Sequence, residues 1–192
     1  MEEAPDMARD FIVRTMTADE TNLAIEWAAR EGWNPGLHDA HCFRAADPNG
    51  FFIGEWRGEP VGSISAIAYD GQFGFIGLYI VRPEFRGKGF GLRIWQHGID
   101  YLGKRNIGLD GVVAQQPNYR KSGFQLAYRN IRFQGIVEAN ASDDAALVNV
   151  SQLTFDRLAS YDSRFFPAPR AAFLRAWIDQ PDAVAFAHVS DG

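Results

Sequence analysis

The segment from residue 82 to 91, written RPEFRGKGFG, fixes the local architecture of the middle of the chain. It follows an apolar run rich in β-branched and aromatic residues, and it precedes a segment in which apolar residues recur at helical spacing. Glycines at alternate positions 87, 89 and 91 disfavour both a continued strand and a helix interior. The sequence therefore predicts a strand, a glycine-rich basic loop and a helix in direct succession.

The region before this loop predicts a meander of antiparallel strands. Three β-rich runs cover residues 51–56, 60–69 and 73–81, and Arg-Gly and Asp-Gly turn signals separate them. A short strand is predicted at 11–14. Thr17 and Glu20 have the spacing of a capping box, which predicts a helix from there to about residue 30, and a second short helix is predicted at 37–46.

The region after the loop completes one unit of about 140 residues. Apolar residues at 92, 95, 99 and 102 predict a helix over 89–103. The sequence then predicts a strand at 110–114, a helical turn at 119–122 and a long final strand at 125–137. Strands with helices inserted among them indicate an α/β fold.

The last fifty residues repeat the element order with which the chain begins. Strands are predicted at 147–150 and 183–189, and helices at 152–161 and 168–178. We therefore expect a first domain at 1–140 and, at 141–192, the truncated start of a second, similar unit. The alternative is a helical appendage packed on the first domain.

Composition limits the classes of partner. The net charge of -5 and the pI near 5.3 argue against a nucleic-acid-binding surface, which needs an excess of Lys and Arg. The single cysteine excludes an intramolecular disulfide, and no run reaches the ~18 apolar residues of a membrane span. We expect a soluble cytoplasmic protein that binds neither nucleic acid nor membrane, and the sequence leaves a homodimer open.

The glycine-rich loop has the properties of a site for a phosphate or pyrophosphate. Glycines leave backbone N–H groups uncovered, and the following helix adds the positive end of its dipole. Arg86 and Lys88 add charge within an otherwise acidic protein. A P-loop is excluded because no Ser or Thr follows the lysine, and the G-x-G-x-G spacing after a meander fits a Rossmann fingerprint poorly.

Two motifs resemble those of one protein family. The segment 86–91, RGKGFG, is similar to R/Q-x-x-G-x-G/A, the acyl-CoA signature of the GNAT superfamily of N-acetyltransferases. The segment 119–124, YRKSGF, resembles the Y-x-x-x-G-F of the same family, and the resemblance covers about residues 11–137. It implies a mixed α/β fold, with a mostly antiparallel sheet that is splayed at the cofactor site, and acetyl-CoA as the acyl donor. The tail looks like the opening of the second GNAT-like half found in one subgroup.

The resemblance also implies positions for the cofactor. The pantetheine arm would pair with the backbone of one strand, the pyrophosphate would rest on the glycine-rich loop, and an amide near the family's displaced asparagine would contact the cofactor. The residues implied are Tyr79, Ile80, Val81, Arg86, Gly87, Lys88, Gly89, Phe90, Gly91 and Asn118.

The implied reaction is direct attack of a primary amine on the thioester in a ternary complex. It needs an acid for the leaving thiolate, for which Tyr119 is the candidate, and a base for the ammonium proton. Many members of the family place a Glu on the strand before the signature, but the strand at 73–81 carries no carboxylate. Glu84 is better explained as a partner of the helix dipole or of an arginine, and Asp70 as a hairpin residue. The resemblance therefore implies His38 or Asp39, in the segment after the Trp33 loop, as the candidate base. Trp33 and Asn34 lie in the loop where this family builds its acceptor pocket.

Three other interpretations bear on function. A metal site at His38 and His41 is disfavoured because zinc needs at least three supported ligands, so no metal is expected. A non-catalytic module that senses acyl-CoA is favoured by the missing strand carboxylate. A nucleotide-binding regulator would bind ATP or NAD in preference to CoA.

Overall fold

The computed structural model describes residues 10–136 and 146–189, and its centre is a five-stranded sheet in the order β1-β2-β3-β4-β5. The first four strands are antiparallel, and β5 joins β4 in parallel, which confirms the predicted meander and mixed α/β sheet. The strands are β1 Phe11–Thr15, β2 Phe51–Trp56, β3 Glu59–Ala68, β4 Phe73–Val81 and β5 Asn106–Leu109.

Helices cover both faces of this sheet. The first two are α1 Ala18–Arg30 and α2 Asp39–Ala46, and α3 Phe90–Leu102 follows the glycine-rich loop. The predicted capping box is present, because Thr17 accepts from the N–H of Glu20 while the Glu20 carboxylate accepts from the N–H of Thr17. On β3, Ile64 packs against α3, where Gly98 leaves room for its side chain. The strand alternation then directs Ser63 and Ser65 to the opposite face.

The predicted strand at 110–114 is wrong, because β5 lies earlier, at Asn106–Leu109. The N–H of Asn106 donates to the carbonyl of Gln72 at 2.7 Å, and the Arg105 side chain donates to the carbonyl of Asp70. These contacts start the pairing with β4 soon after α3 ends at Leu102. Residues 110–112 then leave the sheet, and a 3-10 turn and the short helix α4, Gln116–Lys121, follow.

The predicted final strand at 125–137 is also wrong over its described part, residues 125–136, which contain no strand. Val137 lies outside the described residues. The segment carries apolar side chains that are exposed, such as Tyr128 at 76% and Phe133 at 86%. A strand is stable only when its backbone pairs with a neighbour, and no described strand pairs with this segment.

The residues from 146 to 189 form β6 Leu147–Asn149, α5 Phe155–Asp162, α6 Ala171–Ile178 and β7 Phe186–His188. This is the predicted order of elements, and β6 pairs with β7 in a separate antiparallel sheet. Phe173 of α6 packs on Phe43 of α2, with ring centroids 5.2 Å apart. Whether this region is a second unit or an appendage stays a prediction. Among the described helices, none is both long and apolar enough to cross a membrane.

Candidate functional site

A bulge interrupts the pairing of β3 with β4. Ser63 pairs with Ile80 and Ser65 with Gly77, so that two residues of β4 lie opposite Ile64 alone. One of the two, Leu78, has a φ of +46°, a conformation that costs a leucine about 1–3 kcal/mol. Strain of this kind persists where the surrounding structure enforces it, and it is concentrated at binding and catalytic sites.

One edge of β4 is open beyond this bulge. The parallel pairing with β5 covers only the first part of β4, from Phe73 to Ile76. Residues 77–81 therefore have no strand partner on that side among the described residues. An unpaired strand edge of this length accepts an extended, peptide-like ligand by adding backbone hydrogen bonds. Tyr79, Ile80 and Val81, for which a contact with the pantetheine arm is predicted, belong to this open edge.

The glycine-rich loop presents uncovered donors next to this edge. Gly87 and Gly89 have φ values of +75° and +83°, which glycine adopts without strain, and Gly89 is the N-cap of α3. Within the described residues, no backbone N–H from residue 87 to 92 donates to an acceptor. These groups and the positive end of the α3 dipole form a site suited to an anion.

Gly91 brings the first turn of α3 against β4. A Cβ atom at this position would lie 2.7 Å from the Tyr79 hydroxyl and 3.1 Å from the Val81 side chain. Burial raises the pKa of Tyr79, and the nearby Tyr119 adds to this effect. The third glycine of the motif is thus explained by close approach of two elements, whereas the first two are explained by their backbone conformation.

The two cations of the loop have different partners. The side chain of Arg86 donates to the carbonyl of Val81 at 2.7 Å and pairs with Glu31 at the end of α1. Lys88 lies over the ring of Phe85, 5.3 Å from its centroid, and has no ion pair with a described carboxylate. Lys88 is therefore the loop cation that is available to a phosphate without breaking an ion pair.

The arginines that flank the loop have structural roles. Arg82 pairs with Glu59 and Glu84, so the Glu84 carboxylate is bound to a cation rather than available as a base. The backbone N–H of Glu84 itself, followed by Arg82, lowers the pKa of this carboxyl. Arg93 donates to the carbonyl of Phe11 and lies over its ring.

Tyr119 lies in α4 and is half-buried against the sheet. Its ring packs on Trp95 of α3, with centroids 6.0 Å apart, and Phe124 contacts another side of the same indole. Gly111 makes this position possible, because a Cβ there would lie 2.2 Å from the tyrosine ring. Burial raises the pKa of Tyr119, an effect that a backbone hydrogen bond with Val112 partly offsets. The hydroxyl therefore stays protonated at neutral pH, as an acid requires.

Trp33 lies on the opposite face of β4 from α3. It packs in one cluster with Trp27 and Ile80, and Leu78 of the bulge contacts the same cluster. The guanidinium of Arg132 donates to the carbonyl of Trp33 at 3.1 Å. This contact brings the exposed segment 125–136 to the loop that carries Trp33 and Asn34, and nothing in the sequence indicated it.

The remaining candidates lie in the loop before α2, at the start of α2 and in α4. His38 precedes α2, and its Nε2 is 3.7 Å from the Asp182 carboxylate, while Asp39 accepts from the N–H of Gly36 at 2.8 Å. One further oxygen of Asp39 and the Nε2 of His38 are buried without a hydrogen bond. Asn34 is exposed with a φ of +50°, and Asn118 donates to Gln115 at 2.7 Å. No described side-chain hydrogen bond or ion pair joins His38 or Asp39 to β4 or to Tyr119.

No group of three or more metal-ligating side chains is present within residues 10–136 and 146–189. Cys42 is fully buried, and burial raises the pKa of its thiol, which makes the thiolate scarce.

Two features of the site were missed from the sequence. The bulge depends on a positive φ at Leu78, which no local sequence signal predicts for a leucine. The hydrogen bond from the Ser63 hydroxyl to the Leu78 carbonyl, 2.8 Å long, joins residues fifteen positions apart. Only the strand register, which is a tertiary property, places these two groups together.

Comparisons with known proteins bear on the family of the chain. The profile of the Acetyltransferase (GNAT) family matches residues 18–124. A curated relative from Pseudoalteromonas, named holothin acyltransferase, is 35% identical over 159 residues, which is 83% of this chain and 54% of that protein. The chain thus spans about half the length of this relative.

Solved structures show the same fold. A putative acetyltransferase from Pyrococcus horikoshii superposes with a TM-score of 0.73 at 18% identity, over 94% of this chain and 66% of that one. A predicted acetyltransferase from Clostridium acetobutylicum, crystallised with acetyl-CoA, superposes with a TM-score of 0.50 at 18% identity, over 65% of this chain and 96% of that one. With the family match over more than half of its length, the chain belongs to the GNAT family of acetyltransferases.

Proposed function

We propose that the protein is an N-acetyltransferase that moves an acetyl group from acetyl-CoA to a primary amine by direct attack in a ternary complex. The observation that carries this proposal is the uncovered row of N–H groups at 87–92 beside the open edge of β4. A pyrophosphate and an extended pantetheine arm need these two features next to each other. The acetyl-CoA in the Clostridium structure and the acyltransferase name of the Pseudoalteromonas relative support the choice of donor.

The proposed reaction includes two proton transfers. The amine nitrogen attacks the thioester carbon, the carbon–sulfur bond breaks, and the thiolate takes a proton from Tyr119. The ammonium proton passes to His38 or Asp39, directly or through a water. A backbone N–H of the open edge stabilises the charge that develops on the carbonyl oxygen.

The acceptor is an apolar or ring-bearing amine in this proposal. Trp33 offers an indole beside Leu78 and Ile80, on the face of β4 opposite α3, and such surfaces favour apolar groups. Two carboxylates beside this loop already have partners: Glu31 is paired with Arg86, and Asp39 accepts from the N–H of Gly36. A peptide or a small molecule both remain candidates for the amine.

The test combines thiol release with cofactor binding. Thiol release from acetyl-CoA is measured over a panel of ring-bearing, aliphatic and polyamine acceptors, and CoA, ATP and NAD binding are measured by calorimetry. Turnover with a ring-bearing amine is the expected result. Tight CoA binding without turnover on any amine would favour a sensing module instead, and stronger binding of ATP or NAD would favour a nucleotide-binding regulator.

Replacing Tyr119 tests the assigned acid. Tyr119→Phe keeps the ring that packs on Trp95 and removes only the hydroxyl. We expect kcat to fall about 100-fold, as for loss of a general acid, while CoA affinity stays unchanged. The matched control is Tyr128→Phe at an exposed position, for which kcat should not change. An unchanged kcat in Tyr119→Phe would leave this tyrosine a packing role only.

A further inference from the structure

We infer that Ser63 is a positioning residue that directs the backbone N–H of Tyr79 into the open edge of β4, toward the thioester carbonyl. This inference rests on the proposed function, since it assigns the hydrogen-bond donor that polarises the bound acetyl group.

The first step concerns the bulge. Leu78 and Tyr79 together face one residue of β3, so the regular ladder of backbone hydrogen bonds is broken there. The Ser63 hydroxyl replaces the missing partner by donating to the Leu78 carbonyl at 2.8 Å. Ser63 is fully buried, so its hydroxyl is not shared with solvent water and stays available to the Leu78 carbonyl.

The second step concerns the direction of the peptide group. The Leu78 carbonyl and the Tyr79 N–H belong to one planar trans peptide, in which they point in opposite directions. No cis peptide bond is present in the described chain. Because the carbonyl is directed at Ser63 on β3, the N–H is directed away from β3. That direction leads to the side of β4 where pairing with β5 has already ended at Ile76.

The third step connects this N–H to the chemistry. A donor contributes to catalysis when it is held in place before charge develops, because no free energy is then lost in reorienting it. The bulge is held by the Ser63 hydrogen bond on the β3 side. On the α1 side, the Leu78 side chain packs in the cluster that contains Trp27 and Trp33. The peptide that carries the donor is thus fixed by two contacts, one to its carbonyl and one to the Leu78 side chain.

The matched pair of variants is Ser63→Ala and Ser65→Ala. Both serines are buried on the same face of β3, and each variant removes one hydroxyl. Ser65 lies beside Gly77, before the bulge, and has no described hydrogen bond to Leu78. We expect kcat to fall about tenfold in Ser63→Ala and to stay unchanged in Ser65→Ala, with CoA affinity the same in both.

A spectroscopic measurement separates positioning from a loss of stability. The probe is the ketone analogue of acetyl-CoA in which a methylene group replaces the thioester sulfur, and its carbonyl stretch is recorded by infrared difference spectroscopy. A hydrogen bond to this carbonyl lowers the frequency, so the stretch should move to higher frequency in Ser63→Ala alone. Ser63→Cys, with a weaker donor of similar size, should give an intermediate frequency, and it serves as the variant if Ser63→Ala does not fold.

The outcomes distinguish this inference from the proposed function. If the wild-type protein does not bind the analogue, both are overturned. If it binds the analogue and the frequency and kcat are the same in the Ser63 and Ser65 variants, only the role of Ser63 is overturned. Binding without turnover, but with the frequency shift in Ser63→Ala, supports the role of Ser63 and contradicts catalysis.

Discussion

At the scale of single residues, Asp47 is a buried carboxylate whose role is structural. It accepts hydrogen bonds from the N–H groups of Asn49 and Ala68, and from the hydroxyl of Tyr101 on α3 at 3.0 Å. The turn after α2, the end of β3 and α3 thus meet at one side chain. Buried carboxylates are stable only when their oxygens are satisfied in this way.

This arrangement predicts a loss of stability at alkaline pH. Burial, and then the hydrogen bond to Asp47, raise the pKa of Tyr101 to about 12, above its ordinary value of 10. A group whose pKa is higher in the folded state stabilises the fold fully below pH 10, and this contribution is lost as the pH rises toward 12. In Tyr101→Phe, the urea midpoint of unfolding should therefore fall less steeply between pH 10 and 12 than in the wild-type protein.

The control for this measurement is Tyr128→Phe, at a side chain that is 76% exposed. Its midpoint should follow that of the wild-type protein over the whole range. Tyr69, whose pKa burial also raises to about 12, will leave some residual slope in Tyr101→Phe. If the urea midpoint of Tyr101→Phe falls with pH as steeply as that of the wild-type protein, the loss of stability does not come from Tyr101.

At the scale of elements, short sequence motifs correctly predicted the helices and turns that form through interactions between residues close in the sequence. The capping box predicted α1, the turn signals predicted the β2-β3-β4 meander, and the glycine motif predicted the start of α3. The position of β5 and the absence of a strand at 125–136 depend on pairing with distant segments, which alternation of apolar residues does not encode. The hydrogen bond from Arg132 to the carbonyl of Trp33 could not be predicted for the same reason.

The glycine-rich loop allows a test in which strain is separated from binding. Gly89 and Gly58 have φ values of +83° and +78°, and a Cβ at either position would meet no atom within 4 Å. Gly58 lies in the turn between β2 and β3. An alanine should therefore cost each site about 1 kcal/mol of unfolding free energy, from backbone strain alone.

Binding should respond to only one of these two changes. Gly89→Ala strains the backbone at the N-cap of α3 and adds a methyl group next to the uncovered N–H groups at 87–92, so the Kd for CoA should rise about tenfold. Gly58→Ala should leave the Kd unchanged. Urea denaturation measures the unfolding free energy, and calorimetry measures the Kd for CoA. An equal Kd in both variants would show that the loop does not bind the cofactor.

At the scale of the whole molecule, the residues from 146 to 189 contact the first sheet through an aromatic side chain, Phe166. Phe166 packs edge-on against Tyr69 and Phe73 near the turn that joins β3 to β4, with centroids 4.8 and 5.5 Å apart. Arg170 lies over Phe166 and forms a two-point ion pair with Asp162. These contacts join the end of α5 and the start of α6 to the ring that packs on the first sheet.

Phe173 tests whether these residues fold together with the first sheet. It is 7% exposed and packs between Phe43 of α2 and Trp177 of α6, so Phe173→Ala should lower the unfolding free energy by about 3 kcal/mol. Phe165→Ala, at a side chain that is 67% exposed, should change it by less than about 0.5 kcal/mol. The measurement is urea denaturation, in which tryptophan fluorescence and far-ultraviolet circular dichroism both monitor unfolding. Coincident transitions, shifted together in Phe173→Ala, are expected for one cooperative unit. A first transition that moves alone, while a second stays at the wild-type midpoint, would show that the C-terminal region unfolds independently.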